Sequence, residues 1–403
     1  MIIFFSQKNS NDFSAKRLDD SKMKIVHVDI NGWVYGVQKY VINLCREMKK
    51  IDGYQSVVVG ACAEYFNRLR EENIDVIPLV ENWRKIEFDP KICVRLYQVI
   101  KKEKPDIIHS HSTKENIACK IIGGLLKIPV IPIYHCNHKL YERKDSRVEI
   151  KRKIYETIYL DILERWTSHF SPRNIAVSHS VKDNIKRFGI PGEKIEVIYS
   201  GINENDFRSR KFNHRNAKTK VKILSISRID ENKGIFDIIN AAKIIKEKGC
   251  SFEINFGGDG PLLRESKELA ARSRLNEEVK FLGYVKNVQK IQEASDILVS
   301  ASYSEGLPLN IIEAMAMGLT VVATNIGGVS EIIEHGKNGL MTPCKNPIVL
   351  AENLFTVIQD ARLRLRYGQE ARETILQKFG IRKMVNNILN LYHFLPLKRE
   401  GIS

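Results

Sequence analysis

The feature that most constrains this chain is an alternation of short β-branched runs with longer amphipathic stretches, carried through twice. Residues 25–30, 56–59, 74–79, 107–109, 130–134, 175–177 and 195–198 read as strands. Helical patterns lie between them, such as 37–48, where Tyr40, Val41, Leu44 and Met48 recur at three- or four-residue spacing. Strands and helices in alternation require a parallel sheet covered on both faces. The rhythm breaks after Ser200, where Gly201, Asn203, Glu204, Asn205 and Asp206 precede the basic Arg208-Ser209-Arg210-Lys211; this reads as a linker. It resumes with strand runs at 222–227, 252–256, 279–282, 297–300 and 320–323.

The expected organisation is therefore two α/β halves, 23–200 and 221–378, joined by a linker at 201–220. Residues 1–22 are polar and aperiodic and read as a poorly ordered extension, with Met23 a candidate working start. In 379–403, Met384, Ile388, Leu391, Tyr392 and Leu395 form the apolar stripe of an amphipathic helix that needs a partner. Ligands of open parallel sheets bind beyond the carboxyl ends of the strands, so the cleft between the halves is the expected site.

Composition narrows the class. The 403 residues carry 64 Lys and Arg against 48 Asp and Glu, a net charge of +16, which points to an anionic partner. The excess is shared: 34 basic and 25 acidic residues fall in 1–200, 30 and 23 in 201–403, so neither half is a dedicated basic domain. The densest cluster is 139–153, with Lys139, Arg143, Lys144, Arg147, Lys151, Arg152 and Lys153; it reads either as a solvated helix face or as a patch for anionic lipid. No apolar run approaches the ~18 residues of a spanning helix. Seven dispersed cysteines without a C-x-x-C pair fit a reducing cytoplasm rather than a disulfide framework or a structural zinc site.

The most informative stretch is Ser304-Glu305-Gly306-Leu307-Pro308-Leu309-Asn310-Ile311-Ile312-Glu313-Ala314-Met315-Ala316-Met317-Gly318. It leaves a strand and enters a helix, with Pro308 suited to the first helical position and Gly318 to the stop. The unbonded N–H groups of a helix start attract phosphate. Glu305 and Glu313 would repel a phosphate, so either they accept hydrogen bonds from sugar hydroxyls or they are a dipole-favoured loop residue and a solvated helix residue.

This stretch resembles the Glu-x7-Glu signature of retaining GT-B glycosyltransferases of the glycosyltransferase family four type. Further segments agree in order. Ser227-Arg228-Ile229-Asp230-Glu231-Asn232-Lys233-Gly234 resembles the family's strand-to-helix loop, and Gly257-Gly258-Asp259-Gly260-Pro261 its glycine turn. Asn325-Ile326-Gly327-Gly328-Val329-Ser330-Glu331 resembles its G-G-x-x-E segment, and Tyr199-Ser200-Gly201-Ile202-Asn203 its interdomain hinge, with Ser200 in place of the common Asn. The resemblance runs from Met23 to about Leu395. It implies the GT-B fold, two Rossmann-like doubly wound domains facing across a cleft, with the C-terminal helix packing back on the N-terminal, acceptor-side domain.

The same resemblance implies roles. Arg228 and Lys233 would hold the donor diphosphate and neutralise the leaving group, without a metal. Glu305 would meet the transferred sugar and Glu313 the ribose hydroxyls. Backbone around Gly306, Leu307, Leu309 and Asn310 would line the donor, as would Gly36, where the family commonly has Gly-Gly and this chain has Tyr35-Gly36. His135, in Tyr134-His135-Cys136-Asn137-His138, matches the histidine that contacts the sugar; the glycine that often follows is missing. His109, His111 and His138 read as satisfied structural residues. The chain has no D-x-D pair.

The expected activity is transfer of a sugar from a nucleotide-diphosphate donor, UDP or GDP, to a hydroxyl of a glycan or lipid-linked acceptor, with no cofactor. The setting would be cell-surface polysaccharide synthesis at the inner face of the cell membrane, with peripheral association at anionic lipid. A sugar-nucleotide epimerase or phosphorylase could share the architecture. A dinucleotide oxidoreductase rests only on the incomplete Gly258-Asp259-Gly260 fingerprint. Nucleic-acid binding, prompted by the charge, lacks any recognition motif.

Overall fold

The computed structural model describes residues 22–30, 36–60, 63–79, 90–136, 162–207 and 220–395. Their strands form two sheets, each wholly parallel. In the first, β1 (Met23–Asp29), β2 (Tyr54–Gly60), β3 (Asp75–Pro78), β4 (Ile107–Ser110), β5 (Val130–Tyr134), β6 (Asn174–Ala176) and β7 (Ile195–Val197) lie in the order β3-β2-β1-β4-β5-β6-β7. In the second, β8 (Val221–Ile226), β9 (Phe252–Gly257), β10 (Val279–Gly283), β11 (Ile297–Ser300), β12 (Thr320–Thr324) and β13 (Leu340–Thr342) lie in the order β10-β9-β8-β11-β12-β13. Each sheet grows outward in both directions from one place, between β1 and β4 and between β8 and β11. Loops leaving such neighbouring strands part to opposite faces and open a crevice at the carboxyl ends.

Burial explains why these strands read as continuous apolar runs rather than alternating ones. All residues of β4, β5, β11 and β12 are buried, because helices cover both faces. Ile25 and Ile107 face the helix Gly36–Met48, which contributes Tyr40, Val41, Leu44 and Met48. Val26, Val28 and Ile108 face the opposite way, toward Leu96 and Ile100 of the helix Pro90–Glu103 and Ala118 and Ile122 of the helix Thr113–Leu126. Each fully buried side chain of this kind contributes about 1.5–3 kcal/mol.

The terminal helix, Ile381–Tyr392, buries Ile381, Met384, Val385, Ile388, Leu391 and Tyr392 and packs on the helix Gly36–Met48 of the first half. Leu395, three residues past its end, extends the buried stripe. The stripe thus finds its partner on the N-terminal sheet. β13 escapes sequence reading because three residues between Gly339 and Pro343 are too few to show a period. Pro308 stands one position earlier than expected, extended at φ −74°, ψ 107°, and the helix begins at Leu309. The basic cluster at 139–153, the extension 1–21, Gly32 and His138 lie outside the described residues, as does 208–219 of the linker. Among the described residues, Cys45, Cys93, Cys119, Cys136, Cys250 and Cys344 form no disulfide.

At the end of β1 two carboxyls are buried together. The Gln38 amide donates to Asp29 Oδ2 at 2.7 Å, and the Ile30 N–H donates to Glu115 Oε1 at 2.8 Å. Burial, with Asp29 beside it, pushes the Glu115 carboxyl up from 4.5 to about 8. Between those values the folded chain keeps a proton that the unfolded chain has lost, so stability falls as pH rises through that window. Glu115→Gln, whose carbonyl can still accept from Ile30, should remove this slope. Urea midpoints of the two proteins, compared from about pH 5 to about pH 8, should converge or cross in favour of the variant at the alkaline end.

Candidate active site

The loops after β8, β11 and β12 in one half face Gly36 and the ends of β4 and β5 in the other. The backbones meet at Gly306: a β-carbon there would collide with the His135 carbonyl oxygen. The Gly306 carbonyl accepts from Gly328 N–H at 3.0 Å and from Ser178 Oγ–H, also at 3.0 Å. Three segments therefore converge on one residue that must lack a side chain. Leu307 turns into the core, and a β-carbon on Gly36 would stand 4.0 Å from the Leu309 side chain across the cleft.

The helix Leu309–Ala316 starts at the cleft floor. Its first N–H groups have no partner within the helix. The Asn310 amide donates to the Ile226 carbonyl at 3.0 Å and so pins this helix start to the end of β8. The loop after β8 brings Lys233 to Glu305, with Nζ and Oε1 2.6 Å apart and both side chains largely covered. Arg228 is half-exposed, its Nε 3.4 Å from Asp230 Oδ2. A cation pair and a carboxylate thus stand beside a helix N-terminus, an arrangement that takes a phosphate next to a hydroxyl-bearing group.

Glu313 lies one turn deeper and is nearly covered. Lys39, from the helix Gly36–Met48 of the opposite half, donates to both of its oxygens at 2.8 and 3.0 Å. Sequence reasoning missed Lys39, since a lone lysine on a helix carries no motif. Glu331, in the G-G-x-x-E segment, also reaches across: its oxygens accept from the His179 and Ser180 N–H groups at 2.8 and 2.9 Å, capping a helix of the first half.

His135 ends β5 at the cleft. Its Nε2 lies 3.2 Å from His111 Nδ1, and its ring stands edge-on to Tyr40 at 4.7 Å. Burial pushes the imidazole down to about 3, so it faces the cleft neutral. His109 and His111 are buried as expected of structural residues but are not fully satisfied: His109 Nδ1 and His111 Nε2 have no hydrogen-bond partner. Gly258 holds φ +140°, and a β-carbon on it or on Gly260 would strike the backbone of the loop after β8. These glycines shape the cation-bearing loop, which accounts for them without a dinucleotide.

Two sheets with matched switch points, facing each other across a cleft lined by cations, carboxylates and a helix start, define a two-domain enzyme of the GT-B fold. The Glycosyltransferase Family 4 model matches residues 34–206 and the Glycosyl transferases group 1 model residues 206–374, and the chain belongs to the family four type of GT-B glycosyltransferases. It is 24% identical over 315 residues to N-acetyl-alpha-D-glucosaminyl L-malate synthase of Bacillus anthracis, covering 76% of this chain and 79% of that protein. It is 27% identical over 394 residues to the UDP-Gal:alpha-D-GlcNAc-diphosphoundecaprenol alpha-1,3-galactosyltransferase of Escherichia coli, covering 92% and 97%. The fold matches that of Anabaena HepE (Alr3699) in complex with UDP-glucose, with a TM-score of 0.76 at 20% identity over 93% of this chain and 100% of that one.

The crowding at Gly306 makes a sharp prediction. Gly306→Ala must push the two halves apart, and a misplacement of this kind costs about 10²-fold in rate. Steady-state nucleotide release should fall accordingly, and unchanged kinetics would show that the contact does not set the cleft.

Proposed function

We propose that this chain is a retaining, metal-independent glycosyltransferase. It moves a sugar from a UDP- or GDP-sugar to a hydroxyl of a glycan or lipid-linked acceptor in cell-surface polysaccharide synthesis. The observation that carries the reading is the Lys233–Glu305 pair beside the Leu309 helix start, facing His135 across the cleft. The diphosphate binds at the Leu309 and Asn310 amides, with Arg228 and Lys233 compensating the charge that builds on the leaving group. Glu305 accepts from hydroxyls of the transferred sugar. Glu313 exchanges Lys39 for the ribose hydroxyls. Neutral His135 offers a hydrogen bond to the transferred sugar near the reacting carbon.

The acceptor oxygen attacks the anomeric carbon from the face that the leaving group departs. The carbon–oxygen bond to the β-phosphate breaks, and the acceptor proton passes to that phosphate oxygen. No protein nucleophile is used, which accords with retention without a covalent intermediate. Charge compensation by Arg228, Lys233 and the helix start supports transfer without a metal at the diphosphate.

No helix among the described residues is long and apolar enough to cross a membrane. Peripheral docking at the inner face of the cell membrane is supported by one patch. Glu164 is buried against Lys120 at 2.6 Å, which turns Ile162 and Trp166 outward at 60% and 58% exposure. Trp166 meets Phe170 edge-on at 5.7 Å, and Phe170 packs over Gly124, beside exposed Leu125. Lys127 and Arg165 are exposed nearby in the chain. Aromatic and basic side chains together suit the surface of an anionic bilayer.

A panel of nucleotide sugars with and without acceptor tests the activity. Nucleotide release that depends on a hydroxyl acceptor, and not on free phosphate, separates transfer from epimerase or phosphorylase chemistry. Lys233→Ala and Glu305→Gln should each lower kcat/KM by about 10²-fold or more, the scale of losing a charge-stabilising contact; full activity in either removes that residue from its role. For the membrane, wild-type protein should co-sediment with phosphatidylglycerol vesicles at low salt, and Trp166→Ser should release much of it. Equal sedimentation of the two proteins would discard the patch.

A further inference from the structure

One buried cluster takes no part in the proposed transfer. His27 on β1 and His109 on β4 are direct partners in the parallel register, and their rings meet edge to face at 5.0 Å. His111, one residue beyond β4, stacks on His27 at 5.8 Å. All three side chains are almost wholly buried, and one ring nitrogen of each lies within 4.8 Å of the others. They share the face of the sheet that carries Ile25, Tyr40 and the terminal helix.

Hydrogen bonds sort the ring nitrogens into two sets. His109 Nε2 is held by the Tyr392 hydroxyl at 3.0 Å, and His111 Nδ1 by His135 Nε2 at 3.2 Å. The other nitrogens, His109 Nδ1, His111 Nε2 and both of His27, have no partner, and neither does the Tyr40 hydroxyl. A single unmade buried bond is costly, and native interiors rarely leave several side by side. Metal-binding histidines show this same division: one nitrogen is held by a neighbouring group that fixes the tautomer, while the other gives its lone pair to the ion.

We propose that His27, His109 and His111 bind a divalent transition ion of the zinc type. Tyr392 and His135 orient two of the three ligands. Three imidazoles suit zinc, cobalt, nickel or copper and not magnesium or calcium, which take oxygen ligands. An imidazole that binds the ion gives it one ring nitrogen's lone pair and keeps its other nitrogen for a neighbouring group. The ion ties the carboxyl ends of β1 and β4 to the terminal helix through Tyr392. It stands on the first half, whereas Arg228 and Lys233 stand on the second, so its place is structural and separate from the diphosphate.

Tag-free wild-type protein, stripped with chelator and then titrated with Co2+, tests this without any assay of transfer. The expected result is about one Co2+ per chain by elemental analysis, with the visible absorption of a low-coordinate imidazole complex and a thermal midpoint that rises with Co2+ or Zn2+. His27→Leu and His111→Leu should each abolish the absorption and the thermal response, while His393→Gln, at an exposed position, should change neither. Tyr392→Phe leaves all three ligands in place and should weaken Co2+ binding by about 10- to 100-fold. The proposal is overturned if wild-type protein takes up no stoichiometric Co2+, which would mean that the cluster holds water, or if His27→Leu binds the ion as well as wild type does.

Discussion

The chain crosses between its two halves twice, and both crossings pass through one point. The Ile202 N–H donates to the Phe379 carbonyl at 2.9 Å, the Ile381 N–H donates to the Ile202 carbonyl at 2.8 Å, and Ile202 and Gly380 form an isolated parallel bridge. Gly201 packs so tightly on Ile381 that a β-carbon would stand 2.6 Å from its Cα. Without this crossing the terminal helix could not return to the first half, and the cleft contacts at Gly306, Glu313 and Glu331 alone would hold the two sheets with their carboxyl ends opposed. Arg372 reinforces the joint, donating to the carbonyls of Phe207 and Ala316 and thereby linking the outgoing chain to the end of the Leu309 helix. Backbone hydrogen bonds and a close glycine contact thus fix the position of this joint.

Across the cleft, the charged groups of the candidate site are divided between the two halves. Arg228, Lys233, Glu305 and Glu313 belong to the second half, and Lys39 and His135 to the first. Each carboxylate is paired, Glu305 with a lysine of its own half and Glu313 with a lysine of the other. Partly covered carboxylates without partners would be costly to desolvate, so ion pairs of this kind keep the site ready at small expense. In the proposed function a donor exchanges these pairs for hydroxyl and phosphate contacts, and the cations then move from carboxylate to diphosphate. Among the described residues, Lys39, Arg228 and Lys233 stand at the cleft, and the exposed Lys127 and Arg165 lie near an aromatic patch instead.

Much of the architecture was legible because it is written in local chemistry. Short β-branched runs, amphipathic stretches and glycine stops place the strands to within one or two residues, as with β11 at Ile297–Ser300. The Glu305–Glu313 stretch announces a strand, a loop and a helix start in that order, because each needs particular residue types. β13 stayed hidden because its pairing with β12, not its composition, makes it a strand. Lys39 stayed hidden because its importance lies in a residue 274 positions away. The histidines of β1 and β4 look ordinary one by one, and only the register that sets His27 beside His109 makes them a cluster.

The sequence by itself determined two parallel α/β halves and the family to which the motifs belong, since periodicity, turn chemistry and motif spacing are properties of neighbouring residues. Only the tertiary structure decided which groups meet: Gly306 against His135, Lys39 on Glu313, Tyr392 on His109. These contacts bridge separate loops and separate halves. They exist because two sheets present their carboxyl ends to one cleft, and no local pattern encodes a distance across it.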